Sequence, residues 1–273
     1  MFRRNLKPAP ESTHILLDPA LSLEEEYTSS FGFEWTEIDG YANKETMSHG
    51  HLFGRFILPA NFMQKKIVAD VGCGNGRLGR LIAPDCARYV GLDMSKALYA
   101  FPTHVDNFDN VTLVRASATD LPLESESVDV ALCWGVLHHI DDPDKALLEL
   151  FRITKPGGQI LIYVYPPQFD SRKNLNLFVR EIPDTQIFKI AKEVSDEIDD
   201  WCDVEDFFGK LLAQHLFISQ KNSRNWQLFQ WFDGISPKYH WSLTEMLISY
   251  TKKESLNCQI ADQARGIFKF TVK

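Results

Sequence analysis

The densest concentration of chemically useful groups in this 273-residue chain is Val68-Ala69-Asp70-Val71-Gly72-Cys73-Gly74-Asn75-Gly76-Arg77-Leu78-Gly79. An apolar strand there enters a glycine-rich turn and then a helix. Gly72, Gly74 and Gly76 let the backbone approach a ligand closely, and the helix start offers it unpaired N–H groups. A turn of purely structural purpose would use the same glycines. Arg77 stands where the dinucleotide fingerprint G-x-G-x-x-G has its third glycine, which weighs against a dehydrogenase. Asp93 closes a second apolar run, Val90-Gly91-Leu92, 17 residues after Gly76. A carboxylate at that point can accept both hydroxyls of a ribose, or else cap a helix, a role that Ser95 already fills. Strand, glycine turn and strand-end acid together imply an adenosine-containing cofactor. His138 follows a further apolar run, Val128–Cys133, and so falls beside the crevice of an open α/β sheet. An imidazole there can act as a general base or as a structural hydrogen-bonding group. Its neighbour His139 can cap a helix or touch the cofactor.

Positioning these groups requires a parallel sheet. From Lys66 to Tyr165 short apolar runs alternate with helical patterns, the signature of repeated βαβ units. Strands are predicted at Ile67–Val71, Tyr89–Leu92, Val111–Val114, Val128–Cys133 and Gln159–Tyr165. One helix is predicted from Arg77 to Ala83, ended by Pro84, and a second after the N-cap Ser95. A third runs from Pro143 to Thr154, with an apolar face of Leu147, Leu150 and Phe151, and Pro156-Gly157-Gly158 stops it. Pro166-Pro167 breaks the pattern, and the aromatic-rich, acidic stretch to about His240 is too long for a plain loop. Val204, Phe207, Phe208, Leu211, Leu212 and His215 fit an amphipathic helix there. A helix over Leu243–Lys252 then leads to two strand-like runs, Asn257–Ala261 and Gly266–Val272, which complete the sheet as a hairpin. Near the N-terminus a helix is predicted from Asn43 to Phe62.

The expected architecture is α/β: a doubly wound, mostly parallel seven-stranded sheet with helices on both faces. Residues 1–62 form an N-terminal helical extension, a candidate cover for cofactor or substrate. Residues 63–165 form the core, 166–240 a helical insertion after the fifth strand and a candidate substrate lid, and 241–273 the C-terminal helix and β-hairpin.

The run from about Ile67 to Tyr165 resembles the class I S-adenosylmethionine (SAM)-dependent methyltransferases, whose seven-strand core is Rossmann-like. Besides the two motifs above, three more occur in order. They are Ala116-Ser117-Ala118-Thr119-Asp120-Leu121-Pro122-Leu123, then Val128-Asp129-Val130-Ala131-Leu132-Cys133-Trp134-Gly135-Val136-Leu137-His138-His139-Ile140, and Leu150-Phe151-Arg152-Ile153-Thr154-Lys155-Pro156-Gly157-Gly158-Gln159. The resemblance implies SAM as cofactor and S-adenosylhomocysteine (SAH) as product. Position by position, it implies that Gly72, Gly74 and Gly76 line the methionine and ribose portions, and that Asp70 orders the turn or meets the amino group. It implies that Asp93 binds the ribose hydroxyls, that Met94 packs on adenine, and that Ala118 and Trp134 also face the cofactor. Where the family often has Asp before Ala118, this chain has Ser117, a weaker acceptor for the adenine amino group, so slightly lower affinity is expected. The outer segments Phe31-Gly32-Phe33-Glu34-Trp35 and Phe232-Asp233-Gly234-Ile235-Ser236-Pro237-Lys238-Tyr239 are similar to a subgroup of mostly small-molecule, lipid or glycan methyltransferases. The whole resembles the small-molecule enzymes of the ubiquinone and menaquinone methyltransferase type.

A sulfonium methyl is a strong electrophile, so such a protein has chiefly to hold a nucleophile in line with it in a dry pocket. For a hydroxyl acceptor, His138 is the candidate base. His49 and His51, two apart on a predicted helix, do not share a face, so no metal site is expected. Aromatics of the insertion, among them Trp201, Phe207, Phe208 and Trp226, form either a lid, which favours an apolar or lipid-like acceptor, or the insertion's own core. A net charge of −8 disfavours broad nucleic-acid binding. Apolar runs fall short of the roughly 20 residues of a membrane-spanning helix, and the basic N-terminus lacks an apolar signal stretch, so a cytoplasmic protein is expected. The five cysteines are scattered and read as reduced thiols. Two other readings stay open: a SAM- or SAH-binding partner protein without turnover, and an RNA or protein methyltransferase, for which a basic groove is lacking. Substrate, acceptor atom and oligomeric state are not legible.

Overall fold

The computed structural model describes residues 1–9, 12–21, 56, 58–101, 109–140, 142–164, 247, 256–262 and 267–272. Within them are the strands β1 (Lys7–Ala9), β2 (Ser12–Leu17), β3 (Ile67–Val71), β4 (Arg88–Asp93), β5 (Val111–Arg115), β6 (Val128–Trp134), β7 (Thr154–Tyr163), β8 (Leu256–Asp262) and β9 (Ile267–Val272). They form one sheet in the order β1-β2-β5-β4-β3-β6-β7-β9-β8. Strands β2 to β7 pair in parallel, whereas β1 is antiparallel to β2, and β9 to both β7 and β8.

The central strands are nearly continuous apolar runs because both faces of the sheet are covered. Side chains alternate between two cores. Val68, Tyr89, Leu113, Val130, Leu132 and Leu161 enter one, and Ala69, Val90, Val114, Ala131, Cys133 and Ile160 the other. Helix α1 (Gly79–Ile82) and the 3₁₀ turn Lys96–Ala100 supply Ile82 and Leu98 to the first core. Helix α2 (Pro143–Ile153) covers the second. Asp142 caps α2, its side chain accepting from Lys145 N–H at 2.9 Å, and Pro143 opens it with a pre-set φ. Ala146, Leu147, Leu150 and Ile153 form its buried stripe, and each leucine so buried contributes about 1.5–3 kcal/mol.

All five predicted core strands and the C-terminal hairpin are present. The sheet is wider than the seven strands expected: residues 7–9 and 12–17, assigned to a helical extension, pair onto its edge. Ile15, Leu16 and Leu17 align with Leu113, Val114 and Arg115, and Ile15 is buried. An apolar run of three residues is too short to be read as a strand from its pattern, and its partner strand decides it. Helix α1 is shorter than the predicted span because the glycine turn extends to Leu78. The segment after Ser95 is 3₁₀, with Ser95 capping it as predicted through Ala97 N–H at 3.2 Å. Strand β7 begins at Thr154 and not Gln159: Pro156 to Gly158 lie between the Thr154–Val128 and Gln159–Val130 pairs, with Gly157 at φ +78°. The described end of the helix predicted over 43–62 is a turn, with Phe62 N–H donating to Pro59 O at 2.9 Å. Its remainder, apart from Phe56, lies outside the described residues, as do the insertion over 166–240 and both outer motifs. Of the helix predicted at 243–252 only Leu247 is described, helical and buried. Among the described residues no helix is long and apolar enough to cross a membrane.

Candidate functional site

The crossovers from β3 lead outward through β4 and β5 and then return to β6 and β7 on the other side, so the switch point lies between β3 and β6. The predicted site residues Asp70, Gly72, Gly74, Gly76, Asp93, Met94, Ser117, Ala118, Trp134 and His138 all lie at or just past the C-terminal ends of β3 to β6. Such a crevice is where open α/β sheets bind ligands.

The glycine turn hangs from β4: Gly72 N–H and Cys73 N–H both donate to Leu92 O, at 2.7 and 3.1 Å, and Gly76 N–H donates to Cys73 O at 3.0 Å. Gly72, Gly74 and Gly76 adopt φ of +78°, +55° and +78°. A Cβ on Gly72 would stand 2.3 Å from Val136 Cγ2, and one on Gly76 2.0 Å from Phe101 Cε2. These two positions exclude any side chain on conformation and on space together.

Asp93 ties the turn down. Its Oδ2 accepts from Gly74 N–H at 2.8 Å, and its Oδ1 from Ser95 N–H at 2.8 Å and Ser95 Oγ at 2.7 Å. Burial raises its pKa, against these hydrogen bonds and the Arg115 charge, which lower it. A carboxylate has about four acceptor positions, so one on Oδ2 remains for a ligand. That position can take one ribose hydroxyl and not both, while the helix cap expected as the alternative is made by Ser95, which Asp93 holds in place.

Asp70 sits below the turn, buried, with Tyr89 Oη donating to its Oδ2 at 2.7 Å. Burial pushes it up to about 7; the Tyr89 hydrogen bond opposes this and the Asp93 charge adds to it. Burial and the Asp70 charge push the Tyr89 hydroxyl well above its ordinary range. Two polar groups here have no hydrogen-bond partner among the described residues: Asp70 Oδ1 and the whole side-chain amide of Asn75, which is fully buried in the turn. Orphaned buried polar atoms of this kind are costly unless a ligand meets them.

On the far side, Met94 is partly buried and its carbonyl accepts from Arg115 Nη2 at 2.9 Å. Ser117 starts a turn beside Asp93: Ala116 N–H donates to Asp93 O at 3.1 Å, Asp120 N–H to Ser117 O at 3.2 Å, and Ser117 Oγ lies 2.9 Å from Thr119 Oγ1. Ala118 packs against the α2-side core. Trp134 joins an aromatic group, edge-on to Phe56 at 5.8 Å and tilted over Tyr163 at 4.7 Å. His138 is fully buried in the 3₁₀ turn Leu137–His139, its ring centroid 4.2 Å from that of His139.

Sequence reasoning missed Tyr89, Asn75, Arg115, Val136 and Phe101. Asn75, a polar residue between two turn glycines, could have been singled out by position. Tyr89 and Arg115 act across strands, which no local spacing signals. Among the described residues no three His, Cys, Asp or Glu side chains converge as a metal ion would need.

Residues 69–162 match the family model described as a methyltransferase domain. A probable S-adenosylmethionine-dependent methyltransferase of Mycolicibacterium smegmatis is 30% identical over 153 residues, 54% of this chain and 57% of that protein. A demethylmenaquinone methyltransferase of Clavibacter sepedonicus is 28% identical over 155 residues, 54% of this chain and 63% of that protein. A ubiquinone biosynthesis O-methyltransferase of Pseudomonas entomophila is 35% identical over 101 residues, 35% of this chain and 42% of that protein. The chain thus spans between 42% and 63% of the length of these three curated relatives.

Proposed function

From a chain whose residues 69–162 match the methyltransferase-domain family model, we propose an enzyme that moves a methyl group from SAM to O, N or C of a small molecule. The observation that carries this is the cradle at the strand ends: three glycines at positive φ, a strand-end acid with one acceptor position left, and orphaned polar atoms on Asn75 and Asp70. These groups fit a cofactor with a polar amino-acid end and a ribose. The glycine turn would take the methionine portion, with Asp70 beneath it. Asp93 would accept from one ribose hydroxyl, Met94 and Ala118 would pack along the adenine, Ser117 would accept from its amino group, and Trp134 would close the side toward β6. When bound, SAM supplies a methyl group that is already electrophilic. The chain has then to exclude water and to orient the acceptor. His138 would take the proton of a hydroxyl acceptor.

The substrate class we propose is a lipid, a quinone or a sugar-linked intermediate. The quinone methyltransferases among the relatives support it, and the net charge of −8 disfavours a nucleic acid. The test is label transfer from methyl-radiolabelled SAM in a host extract, followed by separation of RNA, protein, lipid and polar small molecules. Label in lipid or small molecules is the expected result, and label in RNA or protein overturns the substrate class. SAM binding without transfer in any fraction points to a silent binder.

A further inference from the structure

We propose that Arg4 is a positioning residue for the adenine side of the site, clamping the Ser117–Asp120 turn to the end of β2. The inference rests on the reading of Met94 and Ser117 as adenine-side groups. Arg4 reaches two ways at once. Its Nη1 donates to Asp18 Oδ2 at 2.7 Å, and its Nη2 to Asp120 O at 2.9 Å and Asp120 Oδ1 at 2.6 Å. Asp18 is buried at 2% exposure and is itself anchored: its N–H donates to Arg115 O at 3.0 Å, and its Oδ1 accepts from Ala20 N–H at 3.0 Å. Arg115 in turn holds the Met94 carbonyl at 2.9 Å. One run of hydrogen bonds therefore joins Arg4 through Asp18 and Arg115 to Met94, and a branch joins it through Asp120 to the turn that begins at Ser117.

The same turn is pinned from two other directions. Arg3 donates to Asp120 Oδ1, which it shares with Arg4, and through Nε to Leu121 O at 2.9 Å, and Arg152 on α2 holds the residues just after the turn, donating to Leu121 O at 3.1 Å and Leu123 O at 2.8 Å. Leu121 and Leu123 are buried beneath it. Arg4 is the one of the three whose second partner, Asp18, lies on the route to Met94, so it couples the two walls of the adenine side. Only a planar fork spans both carboxylates; an ammonium at the same place meets one. The half with buried Asp18 carries most of the effect, because Asp120 is half exposed and its pairing is screened. The N-terminal residues thus act as an outer support of the sheet whose far end sets the site.

The test measures binding of SAH and of 5′-methylthioadenosine, which keeps the adenosine and lacks the amino acid, to the full chain by calorimetry. Arg4→Ala is expected to weaken both by the same factor, about 5- to 20-fold, well inside the range of coupling through a shared network. Arg4→Lys, which keeps the charge and the fold, is expected to recover only part of the loss. Combined with Ser117→Ala, Arg4→Ala is expected to add little beyond the weaker single variant. Unchanged affinities in Arg4→Ala with only a lowered Tm, full affinity in Arg4→Lys, or losses that multiply in the double variant would overturn the proposal. Failure of the unaltered chain to bind SAH would instead overturn the reading of the cofactor.

Discussion

Tyr89 reaches beneath the glycine turn from the neighbouring strand, its Oη donating to Asp70 Oδ2 at 2.7 Å, and both side chains are closed off from solvent. Among the described residues the other carboxyl oxygen has no hydrogen-bond partner, so a charge on Asp70 is poorly compensated. The carboxyl is accordingly pushed up to about 7.

This gives stability a pH dependence of known sign. Between its ordinary value of 3.8 and about 7, Asp70 holds its proton in the folded chain and has lost it in the unfolded one. Its contribution is therefore fully present below the lower value and declines, at about 1.4 kcal/mol per pH unit, as pH rises toward the upper one. Urea midpoints of the unaltered chain are expected to fall relative to Asp70→Asn from about pH 4.5 to 7 and to run parallel above. Parallel curves across the whole range would remove Asp70 from this role.

Gly76 and Gly157 share φ +78° but not their surroundings. A Cβ at Gly76 would meet Phe101 at 2.0 Å, whereas one at Gly157 meets nothing within 4 Å among the described residues. Gly157→Ala is expected to cost about 1 kcal/mol, the backbone penalty alone. Gly76→Ala adds overpacking of about 1–3 kcal/mol. Chemical denaturation of both variants checks the difference, and equal losses would mean that Phe101 yields without cost.

The sheet and most of the cradle were legible because their signals are local. Apolar runs, turn glycines and the Ser95 cap each state their purpose within a few residues, and the structure places them there. What the sequence hid depends on distant pairing. Nothing near Ile15 announces that it aligns with Leu113, and nothing near Tyr89 announces Asp70. The strong turn signal of Pro156-Gly157-Gly158 also misled: the helix ends before it, at Ile153, and the three residues are absorbed into β7, because the pairing with β6 resumes at Gln159.

Asp93 is expected to serve cofactor and turn together. Asp93→Ala removes the acceptor of Gly74 N–H and of both Ser95 donors, so SAM binding should weaken by about 1–3 kcal/mol and stability should fall as well. Ser95→Ala loses only the Oγ bond and the cap, so it should lower stability with little change in affinity. Calorimetry with SAM separates the two, and unchanged affinity in Asp93→Ala would refute the ribose assignment.

His138 can be tested as base against a structural role by choosing substitutions that differ in proton chemistry. Its ring is fully buried against His139, so His138→Ala leaves a cavity and a loss of activity could follow from packing alone. Glutamine fills much of that space and both donates and accepts hydrogen bonds, but it takes up no proton at neutral pH. If the imidazole removes the acceptor's proton, His138→Gln should be as slow as His138→Ala, roughly 100-fold or more below the unaltered chain, with SAM affinity retained in both. Single-turnover rates measure this once label transfer has supplied an acceptor. Recovery of the rate in His138→Gln to within a factor of about three would make His138 a structural group and leave the base to be found elsewhere.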